Sequence, residues 1–325
     1  MLRLPRVLFI VDSPNWAHDF KSENIKMHLQ LEFDIRKVYQ SHVTAHDIEW
    51  TDLIVVFYWL QFVVMNHLFP VFRENRHKLL CGICSHVELS GARRETGLLF
   101  LNSYAKAVFV NNRLLESEYA PLLAVPIHYT PNGVNTAFFG PADEPARVRM
   151  PLRIGWAGSL GNMGPAVRGF SDVIEAATKS VEDVRLVAAI REDRHRTPLE
   201  MRDFYRGLDA YVCASESEGT PNPCLEAAAC GLPLVTTRVG NMPEFVVEGE
   251  NGFFIDRSPS SLAGRLAWLK SHLDQLVSMG REARRTALNW DWSLKSRPYA
   301  VMFHAALNEQ RPREPTGLQR PWTPR

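Results

Sequence analysis

Two carboxylates, Glu218 and Glu226, stand eight residues apart in the stretch YVCASESEGTPNPCLEAAACGLPLVTTRVGNMPEFVVEGEN, from Tyr211 to Asn251. If the backbone between them is helical, eight residues span about 12 Å, roughly the reach of a diphosphate with a sugar at each end. The helix is expected to start near Pro221 or Pro223, because a proline in a first turn has no intrahelical N–H bond to lose. Good helix formers from Leu225 to Ala229 carry it to Gly231 and Pro233. Between the two acids this start offers backbone N–H groups at Gly219, Thr220, Cys224 and Leu225, with Asn222 in the same turn, and such donors bind phosphate. Carboxylates beside a diphosphate are poor phosphate ligands, so their expected partners are hydroxyls: a sugar for Glu218, ribose for Glu226. An ordinary surface glutamate at 226 and a dipole-favouring one at 218 are the plainer alternatives.

A second loop adds to this edge. GWAGSLGNMGPAVRGF lies between an expected strand and helix and carries Gly155, Gly158, Gly161, Gly164 and Gly169. It fits neither G-x-G-x-x-G nor the P-loop. Taken with Arg168 at its end, Arg191 after the next strand and the helix start at Thr220 to Leu225, it makes one anion site from three strand ends. RVGNMPEF contributes Gly240, Asn241 and Glu244. With no D-x-D, no metal is expected, and no G-x-S-x-G nucleophile occurs. Departure of a diphosphate would then rely on arginine and oriented amides.

The elements that position these residues follow from the apolar pattern. Short runs at 7–11, 33–38, 53–58, 79–84, 107–110 and 127–130 alternate with amphipathic segments, as do runs at 153–157, 184–190, 210–214, 234–237 and 252–255 after a Pro/Gly-rich linker at 139–150. Such alternation predicts parallel α/β sheets covered on both faces, with ligands beyond the carboxyl ends of the strands. In the first half those ends carry DSPNWAHD (Asp12, Asn15, Trp16, His18, Asp19), SHVELSG (His86, Glu88) and PNGVN. A chain of 325 residues suits two domains. The expected division is 1–140, 151–289, a final helical segment at 290–308 and a disordered tail at 309–325.

Net charge of +1 gives no footprint for nucleic acid. The N-terminal apolar run is too short for a secretion signal, and the run from Leu53 to Met65 is too short for a membrane span, so a soluble cytoplasmic protein is expected. The aromatic segment YWLQFVVMNHLFPVF reads as one helix buried against the sheet, with a peripheral membrane or partner contact as the alternative. Of five cysteines, Cys81 and Cys84 form a CxxC inside an apolar strand, which reads as buried thiols in a reducing compartment.

SESEGTPNPCLEAAACGLP, from Ser215 to Pro233, resembles the signature S-x-x-E-G-x-P-x-x-x-L-E-A-x-A-x-G-x-P of retaining glycosyltransferases of the GT-B fold, family four, whose two glutamates form an E-x7-E motif. PNGVN, GWAG with Arg168–Gly169, VGNMPEFV, GENGFFI and WDW extend the resemblance through the second half; in the first half it is faint. It implies two Rossmann-like domains facing across a cleft, a nucleoside-diphosphate-sugar donor on the second and an acceptor of unknown kind on the first, with the final helix crossing back. It also implies that Glu218 meets the transferred sugar, Glu226 the ribose, and the amides near Cys224 and Leu225 the phosphate. Transfer would proceed with retention and without metal or other cofactor. Two departures stand out. Ser159 replaces an arginine and Arg168 a lysine, so that Arg191 or Arg153 is expected to compensate. SPNWAHD also stands where the family has a glycine pair, which leaves only His86 as a loosely matched acceptor-side catalytic residue. A nucleotide-sugar epimerase and a noncatalytic nucleotide-sugar- or partner-binding protein remain the alternatives.

Overall fold

A computed structural model describes residues 3–142, 150–161 and 164–308. The chain forms two compact units, one of Met1–Asn132 with the segment beginning at Lys295, the other of Gly133–Leu294.

The first unit is built on a six-stranded parallel sheet: β1 (Arg6–Val11), β2 (Asp34–Tyr39), β3 (Leu53–Val56), β4 (Leu79–Ile83), β5 (Ala107–Val110) and β6 (Ile127–Tyr129), in the order β2-β1-β3-β4-β5-β6. Its central strands are apolar on both faces because both are covered: β3, β4 and β5 are buried along their whole length. The helix Ala17–Leu29 follows β1, and the last helix, Arg297–Asn308, lies in this unit, with its Tyr299 hydroxyl donating to the Thr130 carbonyl at 3.2 Å.

The expected single helix across residues 60–72 is broken. It runs as Gln61–Val64, a 3₁₀ turn Asn66–Leu68 and Phe69–Glu74. Pro70 explains the break, since it fits a first turn but has no N–H to continue a helix from upstream. Trp59, Phe62, Met65 and Phe72 are buried, whereas Val63 and Val64 stay about half exposed, at 49% and 52%.

The second unit holds a five-stranded parallel sheet: β7 (Leu152–Gly158), β8 (Val184–Ile190), β9 (Ala210–Cys213), β10 (Leu234–Thr236) and β11 (Gly252–Phe254), ordered β11-β10-β9-β7-β8. From β7 the chain first adds β8 on one side, then β9 to β11 on the other. The strand order therefore reverses between β7 and β9, and in open α/β sheets the crevice at such a reversal is where ligands bind. The segment after β7 is not one regular helix. Gly164–Arg168 is followed by Gly169 at φ +65°, a π-helical turn Phe170–Glu175 and a short α-helix Ala176–Ser180. A Cβ at Gly169 would lie 2.5 Å from the Ala214 carbonyl oxygen, so only glycine allows this backbone to sit against the end of β9. Residues 143–149 of the expected linker and 309–325 of the expected tail lie outside the described residues.

Candidate functional site

Beyond the carboxyl end of β9 the chain turns through Ser215 to Pro221 into the helix Asn222–Ala229. Glu218 sits in this turn, ahead of the helix, so the helical rise applies only from Asn222 and not across the whole interval to Glu226. Two groups fix its Oε1: Arg168 Nη1 donates at 2.9 Å and Ser215 Oγ at 2.9 Å. Both charged side chains are largely buried, at 23% and 17% exposure. Arg168 arrives from the segment after β7, carried by the Gly169 contact with Ala214. Its Cδ lies 3.6 Å from the position a Cβ would take on Gly158, so the end of β7 is also in this group. The Arg191 amide donates to the Gly158 carbonyl at 2.9 Å and brings the end of β8 alongside. The loop after β10 closes the other side. Gly240, at φ +53°, packs so tightly that a Cβ there would lie 2.5 Å from the Gly219 carbonyl oxygen and 3.1 Å from that of Glu218.

Around Glu218 several polar atoms are buried without a hydrogen-bond partner: Arg168 Nε, Ser217 Oγ, Thr220 Oγ1, and both the oxygen and the nitrogen of the fully buried Asn241 amide. Native interiors rarely leave such atoms unmatched, and each costs about 1–3 kcal/mol. Drawn from this turn, the segment after β7 and the loop after β10, they mark a place where a polar ligand restores lost hydrogen bonds.

Glu226 is in a different environment. It is half-buried in the second turn of the helix, and Tyr205 Oη donates to its Oε2 at 2.7 Å. Burial raises its pKa to about 7, against the Tyr205 hydrogen bond, which lowers it. Tyr205, at the end of the helix Pro198–Arg206, is fully buried and was not singled out by spacing, since it lies 21 residues upstream.

Two expectations for this site are corrected. The Cys224 amide is not a free donor: it bonds the Pro221 carbonyl at 2.8 Å, and the Asn222 amide bonds that of Thr220 at 2.9 Å, because the chain enters the helix through tight i→i+3 and i→i+2 turns. The side chains of Cys224 and Leu225 point into the core, each 1% exposed. Arg153 does not compensate for Ser159. It is held in a two-pronged ion pair with the buried Asp209, through Nε at 3.1 Å and Nη2 at 3.0 Å. In the glycine loop the amides of Leu160 and Gly161 are held by the protein itself. Glu192, next to Arg191, accepts from the Leu160 and Gly161 amides at 2.9 Å each and from the Ser159 hydroxyl. The Ser159 hydrogen bond, followed by the two amides, lowers the Glu192 pKa to about 2. The segment REDRHR reads as a basic cluster, which hides the acid that does the binding.

His86 lies in the first unit, in the 3₁₀ turn His86–Leu89 after β4. Its Nδ1 is 2.8 Å from Glu118 Oε2, and Glu118 also pairs with Arg94 at 3.0 Å. Among the described residues no helix is long and apolar enough to cross a membrane.

Residues 154–272 match the family model for glycosyl transferases group 1. A D-inositol 3-phosphate glycosyltransferase of Corynebacterium urealyticum is 28% identical over 168 residues, 51% of this chain and 38% of that protein. A glycogen synthase of Mycobacterium tuberculosis H37Rv is 32% identical over 135 residues, 40% of this chain and 32% of that protein. The chain thus spans well under half the length of the curated relatives it matches. In three dimensions it resembles Anabaena Alr3699/HepE, solved with UDP and glucose (TM-score 0.72, 14% identity, 92% of this chain and 99% of the other). It is also similar to the sucrose-phosphate synthase of Thermosynechococcus elongatus (TM-score 0.71, 14% identity, 93% and 99%). These likenesses establish the GT-B fold, with two parallel α/β sheets.

Proposed function

We propose, proceeding from a chain that carries a glycosyl transferases group 1 domain in residues 154–272 on a GT-B fold, that this protein transfers a sugar from a nucleoside-diphosphate sugar to a hydroxyl-bearing acceptor, with retention and without a metal ion. The observation that carries this reading is the Arg168–Glu218 pair at the β7/β9 reversal, ringed by unmatched buried polar atoms. A nucleotide sugar supplies what that place lacks. Its hydroxyls match Ser217, Thr220, Asn241 and the Glu218 carboxylate, and its diphosphate matches the unmatched Nε of Arg168 and the amides of Leu160 and Gly161, once Glu192 has withdrawn. Arg168 thereby serves both halves of the bond that breaks: Nη1 orients the acid at the sugar, and the buried, unmatched Nε is the donor left for the leaving phosphate. Positive charge fixed beside the leaving group lowers the barrier to its departure. Glu226, with Tyr205 donating to it, accepts from the ribose hydroxyls in this reading. The UDP and glucose bound to the Anabaena neighbour agree with a donor of this class.

The test is incubation with a panel of nucleotide sugars, following release of the nucleoside diphosphate. Glu218→Gln is expected to lower turnover by at least about tenfold while leaving diphosphate affinity within about twofold. An intact rate in this variant overturns the role given to Glu218. Failure of every donor to bind overturns the transferase reading and leaves a noncatalytic protein, while interconversion of two nucleotide sugars without release of diphosphate identifies an epimerase.

A further inference from the structure

The second unit holds a cavity of about 710 Å³ beyond the carboxyl ends of β9, β10 and β11, which the donor reading leaves unused. Small-molecule sites usually fall between about 300 and 1,000 Å³. The walls of this one are fixed by bonds within the protein. Arg257 Nε donates to the Ala214 carbonyl at 3.1 Å, and its Nη2 reaches the Ala166 carbonyl. Arg265, on the helix Pro259–Ser271, lies over the Phe253 ring at 4.5 Å and pairs with Glu248 at 2.7 Å. The other Glu248 oxygen accepts from the Phe254 amide at 2.6 Å, and Thr237 Oγ1 donates to the Ser215 carbonyl at 2.7 Å. Walls held in this way are preorganised, which lowers the cost of receiving a ligand.

Three charged side chains of the lining are left over. Arg238, past β10, has its guanidinium carbon 3.9 Å from the centroid of the Phe254 ring and makes no hydrogen bond or ion pair among the described residues. A guanidinium over a ring keeps its edge donors for a ligand. The carboxylates of Glu216, past β9, and Asp256, past β11, are exposed and likewise bond nothing among the described residues. An anion bound by Arg238 would meet these two carboxylates, and a cation would meet Arg238. Across the whole lining the charges cancel, Arg238, Arg257 and Arg265 against Glu216, Glu248 and Asp256. A guanidinium only donates, a carboxylate only accepts, and a hydroxyl does both. A neutral ligand with several hydroxyls on a rigid frame therefore serves both kinds of group, and that is the chemistry of a sugar.

We infer that this cavity binds a short neutral saccharide and that the saccharide is part of the acceptor, a contact on the second unit that the family resemblance does not imply. Ser215 belongs to the cavity and to the Glu218 group alike, since its Oγ donates to Glu218 Oε1 at 2.9 Å. Glycan held in the cavity thus lies beside the turn that carries the acid assigned to the transferred sugar. Arg238 and Asp256 act on its affinity and leave the donor to the residues around Glu218. The acceptor assignment rests on the transferase reading, whereas the saccharide site stands on the cavity alone.

The full chain is titrated with maltose, cellobiose, lactose, mannobiose and diacetylchitobiose, followed by saturation-transfer NMR, and separately with inorganic phosphate and with the nucleotide-sugar panel. The expected result is binding of at least one of these sugars, weakened at least about tenfold by Arg238→Ala and by Asp256→Ala, with nucleotide affinity held within about twofold. Both side chains are exposed, so both variants should melt at the temperature of the native chain. The saccharide site is overturned if none of the sugars binds, if either variant binds as tightly as the native chain, or if phosphate displaces the sugar. Loss of the saccharide result while a nucleotide sugar still binds overturns this inference and leaves the transferase reading standing. Saccharide binding with no nucleotide sugar bound or turned over keeps the ligand class of the cavity and overturns its assignment to an acceptor.

Discussion

Replacing Glu226 with glutamine isolates the cost of holding a carboxylate in the second unit. Burial, opposed by the Tyr205 hydrogen bond, raises the pKa from an ordinary 4.5 to about 7 in the folded chain. Between these values the folded state holds a proton that the unfolded state has released, so stability falls as pH rises through this window and is flat above it. At about 1.36 kcal/mol per pH unit the loss is bounded at about 3.4 kcal/mol. Solvent reaching a half-buried side chain screens this to about 1–2 kcal/mol. Glutamine keeps the shape and can still accept from Tyr205 Oη but carries no charge. Urea unfolding at pH 4.5 and pH 8 should therefore show Glu226→Gln gaining about 1–2 kcal/mol on the native chain at the higher pH and nothing at the lower. Equal differences at both pH values, or a native chain whose stability does not fall across the window, would refute the assignment of that cost to Glu226.

Tyr205→Phe removes the one hydrogen bond that favours the ionised form of Glu226. It should cost about 1 kcal/mol at pH 8 and raise the Glu226 pKa further, seen by carboxyl NMR titration. Glu192→Ala empties the amide nest at Leu160 and Gly161 and should tighten UDP binding several-fold in calorimetry; unchanged or weaker binding would mean that the nest is not on the diphosphate path. Gly240→Ala puts a Cβ 2.5 Å from the Gly219 carbonyl oxygen at a positive φ. It should cost at least about 2 kcal/mol in thermal unfolding and reduce donor affinity in the same variant.

The alternation of apolar runs was enough to read the parallel sheets, because strands covered on both faces are apolar throughout. The group around Glu218 was also legible, since glycines, a proline-led helix and an arginine at a strand end are local signals. What the sequence hid is tertiary. That Glu192 fills the glycine loop depends on β8 lying beside β7, and that Tyr205 backs Glu226 depends on one helix packing on another. Arg153 looked available because Asp209, its partner, is distant in the chain. The segment at 60–72 looked like one helix because its apolar spacing continues through Pro70, whereas a helix arriving from upstream cannot, and a new one starts at Phe69.

The turn that carries Glu218 is gripped from both sides by bare backbone: Gly169 presses on Ala214, and Gly240 presses on the Glu218–Gly219 peptide. A segment held this way has little slack, so it behaves mechanically like a jaw already closed on its own main chain. An incoming molecule must then exchange side-chain partners, first of all the Arg168–Glu218 pair, in place of pushing the loop aside. Stiffness of that kind rests on the two glycines that set the grip, since a Cβ at either would meet a carbonyl oxygen at 2.5 Å.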